Sequence, residues 1–149
     1  MREHARPGVD LLPVPRARTR TRIDGKRILY VDDEPLVRGA VTRLLRGAGA
    51  VCIGAATHDE AVVLLEFEPR LDLAILDFHM PDGDVGRLVE RLRWRRPALS
   101  LVGTSGLDRR SDFAARGVDR FLPKPWEIDD LIRVADWLEA RRQVGASRR

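Results

Sequence analysis

The run Arg27-Ile-Leu-Tyr-Val-Asp-Asp-Glu-Pro35 joins a strand-length, largely apolar segment to three consecutive acids and then to a proline suited to the first turn of a helix. It reads as a buried strand whose carboxyl end carries concentrated negative charge. Further strand-length apolar runs follow at Ala50–Ala55, Leu71–Leu76, Ala98–Gly103 and Arg120–Leu122. Between them lie segments of helical period. The first repeats Leu36, Val37, Ala40, Val41, Leu44 and Leu45 before Gly47 and Gly49 stop it. The second opens on the capping-box pattern Thr57-His-Asp-Glu60 and carries Ala61, Val62, Leu64 and Leu65 on one face. The third, Val85–Trp94, aligns Val85, Leu88, Val89 and Leu92; the fourth, Arg109–Arg116, is short; the fifth, Glu127–Arg142, aligns Ile128, Leu131, Ile132, Ala135 and Leu138. Five strands alternating with five helices predict an α/β, doubly wound parallel sheet covered on both faces. Ligands on such sheets bind beyond the carboxyl ends of the strands.

Polar groups gather at those ends. The first strand runs into Asp32, Asp33 and Glu34, the third ends at Asp77, the fourth at Thr104-Ser-Gly106, and the fifth at Pro123-Lys-Pro125. Each group alone has an ordinary explanation: Asp33 as a helix cap, Ser105 as a turn residue, Lys124 as a surface charge. Four strand ends carrying complementary groups together do not. Clustered carboxylates need a cation, and an all-oxygen donor set suits Mg²⁺, with Mn²⁺ as the alternative. A lysine and a hydroxyl opposite them suit an anion, and a metal, an anion pocket and an available carboxylate together describe phosphoryl transfer to an aspartate.

Composition bounds the remaining possibilities. The chain has 149 residues, 44% of them hydrophobic, the size and make-up of one globular domain. No apolar run approaches a membrane span, and the N-terminus lacks the apolar region of a secretory signal, so a cytoplasmic protein is expected. The lone cysteine, Cys52, sits in an apolar stretch and reads as a core residue. The formal net charge of +4 conceals an uneven distribution: residues 1–27 carry +5, residues 141–149 carry +4, and residues 28–140 carry −5. Residues 1–26 read as a disordered basic arm, 27–142 as the domain, and 143–149 as a tail. No aromatic side chain interrupts Arg16-Ala-Arg-Thr-Arg-Thr-Arg22 to stack on bases, so nucleic acid is not the expected partner.

Four blocks, Ile28-Leu-Tyr-Val-Asp-Asp-Glu-Pro35, Leu73-Ala-Ile-Leu-Asp-Phe-His-Met-Pro-Asp-Gly83, Thr104-Ser-Gly106 and Phe121-Leu-Pro-Lys-Pro125, together resemble the signature blocks of CheY-like response-regulator receiver domains over about residues 27–140. The resemblance implies a flavodoxin-like sheet of strand order 2-1-3-4-5. It implies Asp77 as phosphoacceptor and Asp32, Asp33, Asp77 and the backbone carbonyl of His79 as Mg²⁺ ligands. Lys124 and Ser105 would contact the phosphoryl group, the lysine preceding a cis proline. Ser105 and Phe121 would form the switch, Ser105 being preferred to Thr104 because Gly106 follows it. A histidine kinase or histidine phosphotransfer protein would be the phosphodonor and a downstream protein the target; a homodimer stays open.

Two features depart from the family pattern. Ser105 and Lys124 are about one helical turn closer in sequence than is common, which places the shortening in the fourth helix or its entry loop. Val85 stands where the family often has glycine. Trp126 is expected to pack at the base of the fifth helix, and Trp94 and Trp137 to be packing residues. The chain stops soon after the fifth helix, so a single-domain regulator, or a receiver cut from a longer chain, is expected. A receiver-like scaffold that never carries phosphate, an arginine-tailed nucleic-acid binder and a metal-dependent phosphatase are the other readings.

Overall fold

The computed structural model of the chain describes residues 23–147. The apolar runs become β1 (Arg27–Val31), β2 (Val51–Ala55), β3 (Leu73–Asp77), β4 (Ser100–Ser105) and β5 (Arg120–Pro123). The segments between and after them become α1 (Pro35–Gly47), α2 (His58–Phe67), α3 (Val85–Arg95), α4 (Arg110–Ala115) and α5 (Ile128–Ala146). Every strand pairing is parallel, in the order β2-β1-β3-β4-β5, as expected. Parallel neighbours need long crossovers, and the helices supply them.

Strand alternation divides the core into two layers. Ile28, Tyr30, Leu73 and Ile75 face Leu45 of α1 and Leu131, Val134 and Leu138 of α5. Leu29, Val31, Ala74 and Leu76 face Val62 and Leu65 of α2, Leu88 and Leu92 of α3, and Phe113 of α4. All five residues of β3 are buried, as a strand covered on both faces requires. Cys52 belongs to the α1/α5 layer, where it was expected.

Local chemistry starts the helices. Thr57 Oγ1 accepts from Glu60 N (3.0 Å), while the Glu60 carboxylate reaches past the cap to accept from Ala56 N (3.0 Å). The expected capping box is therefore displaced by one residue on its return arm. Asp84 caps α3 by accepting from Gly86 N (2.6 Å). α1 opens on Pro35 without a side-chain cap, and its apolar stripe is narrower than its sequence suggests: Leu45 is buried, but Leu36 and Leu44 are exposed.

Three further details differ from the sequence reading. Ile23, placed in the basic arm, is fully buried in the α1/α5 layer, and Gly25 N donates to Gly49 O (2.9 Å), so the packed body begins before residue 27. Residues 1–22 of that arm lie outside the described residues. Helix α5 continues through Ala146, into the segment read as a tail. Trp94 is 83% exposed and is not a packing residue: α3 buries Val85, Leu88, Val89 and Leu92, and two positions beyond Leu92 the helix has turned about 200°. Trp126 and Trp137 do pack partly against the α1/α5 layer.

α4, in the segment where the shortening is expected, has six residues. That short helix is anchored by Phe113, which is 1% exposed and lies directly over Gly103 of β4.

Candidate functional site

At the carboxyl edge of the sheet β1, β3, β4 and β5 end side by side, and their terminal residues form one acidic pocket with a single ammonium in it. Asp32, Asp33 and Asp77 each offer a carboxylate oxygen, all three atoms lying within 4.8 Å of one another. Asp32 and Asp77 are buried and Asp33 is exposed. The Lys124 Nζ donates to Asp32 Oδ2 (3.0 Å) and to Asp77 Oδ1 (3.3 Å). It reaches them from the end of β5, across a cis Lys124–Pro125 bond of the kind expected.

Asp32 is held on every side. Its Oδ1 accepts from Glu34 N (3.0 Å), and its Oδ2 accepts from the hydroxyl of Tyr30 (2.7 Å) as well as from Lys124. Arg38 Nη1 donates to the Asp32 carbonyl (2.8 Å), tying α1 to the end of β1. Tyr30 was not among the residues singled out in the sequence. It stands two positions before Asp32, so strand alternation puts both on one face, but an apolar run gives no sign that the hydroxyl is used.

Burial and charge set the protonation of the pocket. Burial pushes the Asp77 carboxyl above its ordinary range; Lys124 opposes this, while Asp32 and Asp33 add to it. Burial alone would pull the Lys124 ammonium down, but its hydrogen bond to Asp32 and the charge of Asp77 outweigh that and hold it up. Burial, then the hydrogen bond to Asp32, push the Tyr30 hydroxyl far up, so it remains a donor.

The two candidate hydroxyls have different surroundings. Thr104 pairs in register with Asp77, and its Oγ1 donates to Leu122 O (2.7 Å) inside the sheet. The Ser105 hydroxyl accepts from Leu107 N (3.2 Å), and among the described residues its own proton meets no acceptor. Alternation turns Ser105 with Gly103 toward the side of the sheet carrying α4. Phe121, paired in register with Gly103, is half-buried on that side, its ring 5.8 Å from that of Phe113.

The loop leaving β3 is fixed at both ends. Phe78 N donates to Thr104 O (3.1 Å), and the Phe78 ring lies under the guanidinium groups of Arg109 (4.8 Å) and Arg116 (5.4 Å). His79 is exposed, with its ring edge-on to Phe78 (5.1 Å). Asp82 Oδ2 accepts from His58 N at the start of α2 (2.7 Å). Asp84 takes a two-pronged hydrogen bond from Arg116 (2.9 Å on each prong), which joins the start of α3 to the end of α4.

Three carboxylates at this spacing form an all-oxygen donor set that fits a hard divalent cation. Beside it, the Lys124 ammonium can receive an anion, and Ser105 ends β4 at the same edge of the sheet. The pocket thus suits chemistry on a phosphoryl group, with Asp77 the carboxylate at its floor.

Comparison with known proteins agrees with this geometry. The response regulator receiver domain family matches residues 28–136. The chain is 30% identical over 120 residues to the sensor protein TorS of Escherichia coli, covering 76% of this chain and 13% of TorS. It is 30% identical over 136 residues to a protein-glutamate methylesterase/protein-glutamine glutaminase of Paramagnetospirillum magneticum, covering 85% of this chain and 36% of that protein. It therefore spans well under half the length of these relatives. The response regulator TrrA of Thermotoga maritima, solved in complex with Mg²⁺-BeF, superposes with a TM-score of 0.66 at 28% identity, over 76% of this chain and 98% of TrrA. Among the described residues no helix is long and apolar enough to cross a membrane. The chain belongs to the CheY-like response regulator receiver domains of two-component signalling.

Proposed function

We propose that this receiver is a phosphate-operated switch in which Asp77 accepts a phosphoryl group from a histidine kinase or a histidine phosphotransfer protein. An Asp77 carboxylate oxygen attacks phosphorus. The bond from phosphorus to the donor nitrogen breaks, its electron pair stays on the donor imidazole, and an acyl phosphate forms on Asp77. The observation that carries this reading is the Lys124 ammonium lying between Asp32 and Asp77, at 3.0 and 3.3 Å. It compensates the resting carboxylates and stands where new phosphoryl oxygens would need a cation. Asp32, Asp33, Asp77 and the carbonyl of His79 would hold Mg²⁺ or Mn²⁺, which when bound supplies positive charge against the transferring group.

Ser105 then donates its available proton to the phosphoryl group, and Phe121, on the same side of the sheet, moves with the loop beyond Ser105. The altered surface changes the binding of a downstream protein. The module works in the cytoplasm, alone or as one part of a longer regulator.

Intact mass after incubation with Mg²⁺ and acetyl phosphate tests this reading, with Asp77→Ala alongside. One phosphoryl increment on the parent and none on the variant is expected. A folded, Mg²⁺-supplied parent that gains no mass overturns the switch and favours a receiver-like scaffold.

A further inference from the structure

We propose that Tyr30 is a positioning residue for phosphoryl transfer: its hydroxyl occupies Asp32 so that the Lys124 ammonium stays transferable to the group arriving on Asp77. The inference rests on the phosphoacceptor reading above and assigns a part to a residue that reading does not use.

The donors in the pocket are unevenly shared. Among the described residues Asp32 receives three, from Glu34 N, Tyr30 and Lys124, whereas Asp77 receives one, from Lys124. Tyr30 and Lys124 meet on the same atom, Asp32 Oδ2, at 2.7 and 3.0 Å. In a buried site a carboxylate served only by a backbone amide would hold an ammonium tightly. A second strong donor on that oxygen disperses its charge and weakens the hold. It also keeps Asp32 compensated after the ammonium turns to the phosphoryl oxygens.

Packing alone does not call for a tyrosine here. The ring lies in the α1/α5 layer with no exposure, a place a phenylalanine would fill equally well. A hydroxyl carried into that core is costly unless bonded, and Asp32 is its bonding partner among the described residues. The ring is wedged between β1 and the helices, so the hydroxyl has a fixed address. Asp32 follows it, and the ammonium follows Asp32.

Removing the hydroxyl should therefore move two quantities in opposite directions. In Tyr30→Phe, Asp32 regains negative charge. Mn²⁺ binding, followed by the electron paramagnetic resonance of the free ion, should tighten about 3- to 10-fold, the scale of an ordinary net hydrogen bond. Phosphorylation by acetyl phosphate at saturating metal, followed by intact mass, should slow about 10-fold because Lys124 is retained on Asp32. In Lys124→Ala, which is slow for its own reasons, the tyrosine substitution should cause no further loss of rate.

A purely structural role would weaken metal binding and transfer together, and that result overturns the proposal, as does a Tyr30→Phe protein matching the parent in both. A parent that takes up no phosphoryl group overturns the functional reading and this inference with it. A labelled parent equalled by Tyr30→Phe overturns the inference alone. Tyr30 is the chain's single tyrosine, so 3-fluorotyrosine can replace it in an otherwise unchanged protein if Tyr30→Phe fails to fold. Its stronger donor should shift both quantities the other way, to weaker Mn²⁺ binding and faster transfer; no shift, or a shift of both together, overturns the proposal.

Discussion

The ring of Phe113 rests on the backbone of Gly103 so closely that a Cβ there would lie 2.4 Å from Phe113 Cγ. With only six residues, α4 cannot bury a long stripe, and it is this one aromatic, reaching into a gap in β4, that seats it. Gly103→Ala should push the ring outward and cost about 1–3 kcal/mol, the usual penalty for overfilling a packed core. Urea unfolding measures it. Because Phe113 also touches Phe78 and Phe121, with ring centroids at 5.2 and 5.8 Å, the displacement should reach the proposed switch ring. An unchanged midpoint would mean that α4 is held by something other than this contact.

Neutralising Asp77 should stabilise the metal-free protein. The Asp77 carboxyl is raised above 3.8 chiefly by burial, so the folded state favours its proton more than the unfolded chain does. A raised carboxyl strengthens folding at low pH, and the gain is lost as pH climbs through the folded pKa. At neutral pH the ionised group is a liability, and Asp77→Asn removes it. Thermal unfolding in a chelator at pH 7 should show the variant melting a few degrees higher. A lower melting temperature would mean that Lys124 compensates Asp77 fully.

Removing Lys124 should do the reverse. Lys124→Ala leaves Asp32 and Asp77 without their shared cation, and breaking a buried pair of this kind costs about 3 kcal/mol. Mg²⁺ should restore part of the loss, since a cation bound by the folded state alone stabilises by mass action. Melting curves with and without Mg²⁺ should show a larger metal-induced rise in the variant than in the parent. Equal rises would argue that the ammonium and the metal do not share the same charge.

The Asp84–Arg116 pair gives a prediction at acid pH. Its hydrogen bonds to Arg116, with one from Gly86 N, hold the Asp84 carboxyl down at about 2, below the ordinary 3.8. A depressed carboxyl contributes its full stability above the unfolded pKa and loses it as pH falls through the folded value. Arg116→Ala should cost about 1 kcal/mol or less at pH 7, since half of Asp84 is open to solvent, and the gap from the parent should close between pH 4 and pH 2. Urea midpoints across that range test it. A gap that persists at pH 2 would assign the effect to the packing of Arg116 on Phe78 instead.

Much of this molecule can be read along its chain because the interiors of β1, β3 and β4 are buried on both sides and carry no charge between their first residues and their carboxyl ends. Asp32, Asp77 and Ser105 are conspicuous for that reason. The strand bounds shift where side chains take over backbone duties. Leu71 drops out of β3, and the Asp72 carboxylate accepts from Arg27 N (2.9 Å) just before the strand begins. Thr104 and Ser105 look like a turn and are buried strand, since one hydroxyl is satisfied by Leu122 O. The strand order came from the family resemblance, because periodicity does not report which strands are neighbours. Tyr30 and Ile23 were hidden by their company, one within an apolar run and the other beside an arginine-rich segment.

At the end of the β4–β5 ladder, where Ser105 pairs with Pro123, Lys124 N still donates to Ser105 O (2.9 Å). The residues bearing the ammonium and the hydroxyl are thus riveted together through their main chains, and the sheet serves as a rigid caliper whose jaws they form. A loop can flex without changing that gap. In the switch proposed above, the first position past the rivet is Gly106, where even an added Cβ would meet nothing within 4 Å. The proposed switch would then hinge at an open joint, one residue beyond a fixed one.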